Sequence, residues 1–365
     1  MNIMIAGGGT GGHLFPGIAI AEEFLKRDRT HDILFIGTER GLEKRILGNM
    51  GFSLRTLHVE GVKGRGMLKA LSALLKIPRS LIESCGLIRE FGPDIVIGVG
   101  GYSSGPTVLT ACFMGIKTAI AEQNALPGIT NRILGKFVDR IFLTFPATKQ
   151  CFPEKKTIIT GNPIRAGFVT ETRNEKKTGD KFTLLIFGGS QGAHSINMAV
   201  LDALPYLRTI TPALKIIHQT GDTDLHTVSD CYRSHGLDAD VLPFIMDIAK
   251  IYRSSNLLIC RAGATSIAEL TASGKAAILI PFPYATGDHQ TRNAEALLHA
   301  GACVMIRETE LSGKKLAETI ADLYNDPARI REMETRSAGL GNPRAAAHIV
   351  DECMEIIPSK KYNFL

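Results

Sequence analysis

No apolar run in this chain approaches the roughly 18 residues that a membrane-spanning helix needs. Met1 to Ala6 also lack the basic stretch that opens a secretory leader. The chain is therefore expected to be neither secreted nor integral to a membrane. Low-complexity tracts are missing, and 44% hydrophobic against 21% charged residues excludes general disorder. Cys85, Cys112, Cys151, Cys231, Cys260, Cys303 and Cys353 include no Cys-x-x-Cys pair and make an odd total. That scatter argues against a disulfide framework and a zinc site, and suits a reducing cytoplasm.

What the chain does have is length and a lopsided charge. At about 150 residues per domain, its 365 residues make two domains, each large enough for its own core. Through Arg165 there are 21 Lys and Arg against 13 Asp and Glu; beyond it there are 21 against 23. The basic surplus behind the net charge of +6 is thus N-terminal. Lys63, Arg65, Lys69, Lys76, Arg79 and Arg89 share one stretch with Glu83 as its single acid, which points to a local anionic partner.

Short β-branched runs alternate with helical patterns along the whole length. They are Ile3 to Ala6, Ile33 to Ile36, Ile95 to Val99, Thr118 to Ala121, Thr183 to Phe187, Lys215 to His218, Leu257 to Cys260 and Ala277 to Ile280. This is the βαβ signature of parallel sheets with helices on both faces, an α/β fold. The pattern stops between Gly161 and Lys181, where Pro163, Gly167, Gly179 and the cluster Arg173 to Lys177 read as an interdomain linker. Gly7-Gly8-Gly9-Thr10-Gly11-Gly12-His13 follows the first strand, and Gly188-Gly189-Ser190-Gln191-Gly192-Ala193-His194 follows the first strand of the second half, with four of seven positions identical. Two Rossmann-like domains facing across a cleft are expected. Arg344 to Ile357 carries apolar residues at helical spacing and closes the chain as an amphipathic helix.

Gly7-x-Gly9-x-x-Gly12 fits the dinucleotide fingerprint, so an NAD-dependent dehydrogenase is one reading. The fingerprint also needs an acid at the end of the second strand to hold a ribose; that strand ends at Gly37, with Asp32 at its start and Glu39 beyond it. A glycine turn at a helix N-terminus still offers amides and a positive dipole end to an anion, and Pro16 is expected to set that helix's first turn. Gly188 to Gly192 offers the same cradle with a hydroxyl, for which phosphate is the natural guest; the alternative is glycine that only permits a tight turn. In Cys260 to Glu269 another turn precedes a helix. Glu269, about one turn inside it, either accepts hydrogen bonds from a ribose diol or is a solvated surface glutamate. Gly100-Gly101-Tyr102-Ser103-Ser104-Gly105-Pro106, Glu122-Gln123-Asn124 and Asp288-His289-Gln290 are further polar groups at strand ends or helix starts. Asp222-x-Asp224 resembles a paired-acid metal site, yet no other fixed ligand converges with it, and no metal is expected.

Taken in order, Gly8 to His13, Gly100-Gly101-Tyr102, Glu122-Gln123-Asn124, Gly161-Asn162-Pro163-Ile164-Arg165, Gly188 to Gly192 and Asp288-His289-Gln290 closely resemble the MurG family of bacterial peptidoglycan N-acetylglucosaminyltransferases. The resemblance covers nearly the whole chain. It implies a GT-B fold without metal or other cofactor, and transfer of GlcNAc from UDP-GlcNAc to the muramoyl 4-hydroxyl of undecaprenyl-pyrophosphoryl-MurNAc-pentapeptide (lipid I). The anomeric carbon is inverted and lipid II is formed. It implies an acceptor and membrane-associating domain over 1–162, with 342–365 packing back on it, and a UDP-GlcNAc domain over 163–341. Donor contacts carry over to Thr10, Gly11, Gly12, Asn124, Arg165, Ser190, Gln191, Ile245, Glu269 and Gln290. His13 is the candidate general base, since an imidazole pKa of about 6.5 suits that work near neutrality; Glu122 is the rival, and Tyr102 lies on the acceptor side. A different UDP-GlcNAc enzyme of the same fold, such as an epimerase, or a non-catalytic nucleotide-sugar sensor would share the donor contacts. Implied partners are an anionic membrane surface and other cell-wall synthesis proteins, without nucleic acid.

A polyprenyl acceptor cannot leave the bilayer, so the protein is expected at the cytoplasmic face of the cell membrane, held peripherally. Between Gly61 and Phe91, Leu68, Leu71, Leu74, Leu75, Ile77, Leu81, Ile82, Leu87 and Ile88 give more apolar surface than one core-facing stripe needs. Lys69, Leu75, Lys76, Arg79, Leu81 and Ile82 are the candidate docking residues, an apolar patch ringed by cations.

Overall fold

The apolar runs become two all-parallel sheets in a computed structural model that describes residues 1–8, 11–38, 43–59, 77–168 and 181–358. The first holds β1 (Asn2–Gly7), β2 (Asp32–Thr38), β3 (Ser53–Leu57), β4 (Ile95–Gly100), β5 (Lys117–Glu122), β6 (Arg140–Leu143) and β7 (Thr157–Ile159), in the order β3-β2-β1-β4-β5-β6-β7. The second holds β8 (Phe182–Phe187), β9 (Leu214–Gln219), β10 (Ala239–Leu242), β11 (Leu257–Cys260), β12 (Ala277–Leu279) and β13 (Cys303–Met305), in the order β10-β9-β8-β11-β12-β13. Every residue of β4 is buried, because a central parallel strand covered on both faces has no polar side to show. In register, Ile5 pairs with Phe35 on one side and Ile97 on the other.

Strand order reverses between β1 and β4 in the first sheet and between β8 and β11 in the second. At such a switch point the two following turns diverge to opposite faces and leave a crevice beyond the strands' C-terminal ends, where ligands of this fold class bind. The glycine turns after β4 and β8 open onto these positions.

In the first unit, α1 (Gly11–Arg27) covers one sheet face. Its Leu14, Ile18 and Phe24 pack with Ile3, Ile5 and Phe35. The other face carries α3 (Ile77–Phe91), α4 (Ser104–Phe113) and α5 (Ile129–Leu134), with Ile88, Val108, Ala111 and Leu134 against Met4, Val96 and Ile120; the short α2 (Glu43–Asn49) follows β2. Helix α1 begins five residues before Pro16, so the proline lies inside it rather than in its first turn. The ring there removes one backbone donor from the second turn.

The second unit carries α6 (His194–Ala203), α7 (Leu225–Ser234), α8 (Ile248–Ser254), α9 (Ala264–Ala272), α10 (His289–His299), α11 (Gly313–Asn325) and α12 (Pro327–Leu340). Its core joins Leu184, Ile186, Ile216 and Ile259 of the sheet to Ile196, Val200, Leu316 and Ile320 of α6 and α11.

Helix α13 (Ala345–Ile356) returns to the first unit. Ile349, Val350 and Cys353 enter the core beside α1, while Arg27 Nη1 donates to Asp351 Oδ1 at 2.7 Å and Arg140 Nε to Glu352 Oε2 at 3.3 Å. The units therefore run Met1–Ala166 with Pro343–Leu365, and Gly167–Asn342. Gly167 and Phe168 already belong to the second: Arg253 Nη1 donates to the Gly167 carbonyl at 2.9 Å, and Phe168 meets Tyr252 edge to face at 5.1 Å. Within the expected linker, 169–180 lie outside the described residues.

Candidate active site

At the switch point of the first sheet, the turn after β4 leaves the strand through Gly100 and Gly101, with φ of 94° and 83°. Both need glycine for contact as well as conformation. A Cβ on Gly100 would lie 2.6 Å from His13 Nδ1, and one on Gly101 2.4 Å from the Gly8 carbonyl. His13, the third residue of α1, therefore has its ring seated directly on the Gly100 backbone. Its Nδ1 lies 3.3 Å from Oε1 of Gln123, whose Nε2 donates to the carbonyls of Val99 at 3.1 Å and Ala121 at 3.2 Å.

Glu122, one residue earlier, is buried, and its carboxylate organises the chain that follows. Oε1 accepts from the Asn124 amide at 3.0 Å and its side chain at 3.4 Å; Oε2 accepts from the Gly128 amide at 3.0 Å and Asn131 Nδ2 at 2.9 Å. A carboxyl group that accepts from four donors has its lone pairs occupied. Arg165 stacks its guanidinium 4.4 Å over the Phe15 ring, which brings it to the Gly11–Gly12 end of α1. Nearby, burial raises the Glu22 carboxyl above the usual range, while the Ala166 amide and the Arg165 charge pull the other way. Tyr102 is exposed in the turn that precedes α4. Thr10 lies outside the described residues.

In the second unit, Ser190 and Gln191 occupy the turn between β8 and α6. Ala193 at the N-cap of that helix supplies no side-chain cap, so the dipole end faces the turn bare of any capping hydroxyl. Gly192 and the later Gly221 let two turns touch by backbone: a Cβ on the first would fall 1.8 Å from the Thr220 carbonyl, and one on the second 2.1 Å from that of Gln191. Gln219, buried at the end of β9, donates from Nε2 to the Gly189 carbonyl at 2.7 Å and accepts the Ile245 amide on Oε1 at 2.8 Å. The Ile245 N–H is thus already used.

Glu269 is only 3% exposed, so it is not a solvated surface glutamate; its place on α9 points it into the unit. Gln290 Oε1 accepts the Phe282 amide at 3.0 Å and thereby ties the 281–287 loop to α10. Asp288, which precedes that helix, is the single non-glycine residue with positive φ, 56°, among those described. Asp224 accepts from His194 Nδ1 at 3.0 Å and Asn197 Nδ2 at 2.8 Å. That gives the Asp222-x-Asp224 motif a structural use; among the described residues no group of three His, Cys, Asp or Glu converges as a metal site.

Four groups in these sites had no role from sequence. Gln123 and Gln219 sit on or just beyond strand ends, where the face a side chain takes depends on register. Arg261, after β11, is buried: Nη1 donates to the carbonyls of Ile280 at 3.3 Å and Pro281 at 3.2 Å and pairs with Glu308, and Nη2 donates to Ser195 Oγ at 2.9 Å. It stitches α6 to the strand end after β12. His218 completes a buried chain, its Nε2 meeting Asn197 Oδ1 at 3.0 Å and its Nδ1 the Tyr232 hydroxyl at 2.8 Å. Burial lowers its pKa to about 3.

Of the candidate docking residues, Lys69, Leu75 and Lys76, with Lys63, Arg65, Leu68, Leu71 and Leu74, lie outside the described residues. On α3, Ile82 is 73% exposed, Leu81 is half-buried, and Arg79 Nε donates to Glu83 Oε1 at 2.8 Å. Periodicity did not disclose a second apolar surface on α4, α5 and the residues after each. Phe113 is 74% exposed, Ile129, Ile133 and Phe137 are exposed with it, and the Phe113 and Phe137 rings lie 6.3 Å apart. No described helix is long and apolar enough to cross a membrane.

Comparison with known proteins places the chain in a family. The model of the glycosyltransferase family 28 N-terminal domain matches residues 3–143, and that of the C-terminal domain matches 183–349. A protein of Syntrophus aciditrophicus named UDP-N-acetylglucosamine–N-acetylmuramyl-(pentapeptide) pyrophosphoryl-undecaprenol N-acetylglucosamine transferase is 58% identical over 98% of this chain and 99% of its own length. The crystal structure of Acinetobacter baumannii MurG superposes with a TM-score of 0.78 at 30% identity, covering 97% of this chain and 99% of that one. A UDP-GlcNAc 2-epimerase from Neisseria meningitidis, at 13% identity and a TM-score of 0.69 over 97% of this chain and 100% of that one, shares the fold alone.

Proposed function

The chain belongs to the MurG branch of glycosyltransferase family 28, and from that premise we propose that it transfers GlcNAc from UDP-GlcNAc to the muramoyl 4-hydroxyl of lipid I, forming lipid II for peptidoglycan. The observation that carries this reading is the 58% identity sustained along 98% of the chain to a transferase named for that reaction.

Each proposed role follows from the chemistry of its group. Ser190, Gln191 and the first-turn amides of α6 take the diphosphate; Glu269 takes the ribose diol; Ile245 walls the uracil and offers its carbonyl. Asn124 and Gln290 serve the sugar hydroxyls, with Thr10, Gly11, Gly12 and Arg165 completing the donor contacts. In the reaction the acceptor oxygen attacks C1 of GlcNAc, and the C1–O bond to the β-phosphate breaks with its electron pair leaving on UDP. The hydroxyl proton goes to His13 and then to solvent. The α6 dipole end and Arg165 stabilise the departing diphosphate. The four donors on Glu122 favour His13 as base, and leave Glu122 to hold the Asn124 turn in place.

The first unit also carries the membrane role in this reading. Ile82 on α3 and the Phe113, Ile129, Ile133 and Phe137 surface enter the interfacial region of the cytoplasmic leaflet, and the N-terminal basic surplus meets its anionic headgroups. Radiolabelled UDP-GlcNAc supplied with lipid I tests the whole proposal: label must appear in a lipid-linked disaccharide. Conversion of UDP-GlcNAc to its 2-epimer without acceptor would establish an epimerase instead, and binding without either product a sensor.

A further inference from the structure

We propose that Gln123 is a positioning residue for the transfer, locking His13 in the tautomer that carries its proton on Nδ1 so that Nε2 presents the basic lone pair. The proposal rests on the reading of His13 as the base. Its argument begins with the amide of Gln123, whose orientation the structure fixes without reference to His13. One end of that amide lies 3.1 Å from the Val99 carbonyl and 3.2 Å from that of Ala121. Carbonyl oxygens only accept, so that end must be the NH2 group. The other end, 3.3 Å from His13 Nδ1, is then the oxygen, which also only accepts. Nδ1 must therefore be the donor, and in a neutral imidazole the second nitrogen is then the acceptor.

Burial and backbone contact keep this arrangement from relaxing. Gln123 is 2% exposed, and turning its amide over would set its oxygen against the Val99 and Ala121 carbonyl oxygens, which can donate nothing to it. The His13 ring rests on Gly100, where a Cβ would collide with Nδ1 and the neighbouring Cε1 at 2.6 and 2.7 Å. Ring and amide thus share one seat at the switch point, built from the ends of β4 and β5 and the start of α1. The choice of an amide has a chemical consequence. A carboxylate on Nδ1 would favour imidazolium and fill the base with a proton before the acceptor arrives; a neutral oxygen sets direction without that bias. When Nε2 takes the hydroxyl proton, the same oxygen holds the Nδ1–H of the imidazolium, so the ring keeps its orientation through the step.

Nitrogen NMR on the full chain with labelled histidine tests this directly, at a pH well above the imidazole pKa of about 6.5. The His13 signals are those missing from His13→Ala. In the wild type, Nδ1 must resonate as a protonated nitrogen and Nε2 as an unprotonated one. In Gln123→Leu the two must move toward the opposite tautomer. There kcat must fall at least about tenfold, within the limit of about 10²–10⁴-fold for loss of a general base, while KM for UDP-GlcNAc stays within about twofold. An unprotonated Nδ1 in the wild type overturns the proposal and needs no variant to fold. Undiminished turnover in a folded Gln123→Leu also overturns it. Full turnover in His13→Ala would sink the base reading instead, and the catalytic part of the proposal with it, whatever tautomer the wild type shows.

Discussion

Gln219→Leu removes one side chain that holds together two turns of the proposed donor site. Gln219 joins the Gly189 carbonyl to the Ile245 amide at 2.7 and 2.8 Å and is 3% exposed. Leucine fills much of the same volume with no polar atom. Ile245 is buried, so its orphaned N–H bears the desolvation penalty of about 1–3 kcal/mol; Gly189 is half-exposed, so its carbonyl regains water and loses only the net worth of a hydrogen bond, about 0.5–1.5 kcal/mol. The second unit should therefore lose about 1.5–4.5 kcal/mol by urea unfolding. UDP must then order both turns itself, and calorimetry should show affinity lower by about tenfold, or ~1.4 kcal/mol. Gln219→Glu separates the two halves of the clamp: it keeps an acceptor for Ile245, but sets a negative charge beside the diphosphate turn. Its UDP affinity should fall further than that of Gln219→Leu, with a smaller loss of stability. Unchanged unfolding midpoint and UDP affinity in Gln219→Leu would refute the clamp.

Glu269→Ala should weaken UDP and UDP-GlcNAc alike by about 1.5–3 kcal/mol, as loss of a charged acceptor does; equal UDP titrations for variant and wild type would remove Glu269 from the ribose. His13→Ala should lower turnover by about 10²–10⁴-fold and leave UDP binding intact, checked by single-turnover kinetics beside calorimetry. The second unit should also be acid-sensitive through His218. Its folded pKa of about 3 lies below the unfolded value, so its contribution is complete above about pH 6.5 and is lost as pH falls toward 3. The slope should be on the order of 1.4 kcal/mol per pH unit within that window, and urea midpoints of His218→Gln should lack this component. Phe113→Ser with Phe137→Ser should reduce flotation with anionic liposomes and spare UDP binding; undiminished flotation would move the docking surface elsewhere.

The fold was legible because buried parallel strands have no polar face: Ile95 to Val99 reads as a strand on composition alone, and the glycine turn after it marks its end. The same turns disclosed most of the proposed donor contacts, since Gly192 and Gly101 are required by backbone approach. Gln123 was equally visible as a letter, between two residues that received roles. Its own depended on which neighbours β4 and β5 bring beside it, which is a fact of strand order rather than spacing. Glu269 could not be told from a surface glutamate, because helical period gives a direction only once the packed face is known. The Phe113 and Phe137 surface escaped notice for the opposite reason: single aromatics in short segments make no stripe. Pro16 misled because the glycines before it were taken for turn alone, whereas Gly11 and Gly12 already belong to the helix.

The return of α13 to the first unit makes the second an insert: 167–342 enters and leaves a host whose two segments are Met1–Ala166 and Pro343–Leu365. The second unit is one continuous stretch of chain, and its core is drawn from residues within it. The first unit has no such continuity. Cutting after Ala166 strips Ile349, Val350 and Cys353 from its core and leaves Arg27 and Arg140 without Asp351 and Glu352. Reconstituting it requires joining 166 to 343. During synthesis, too, the first core stays incomplete until the last helix emerges, so the inserted unit can finish folding before its host does.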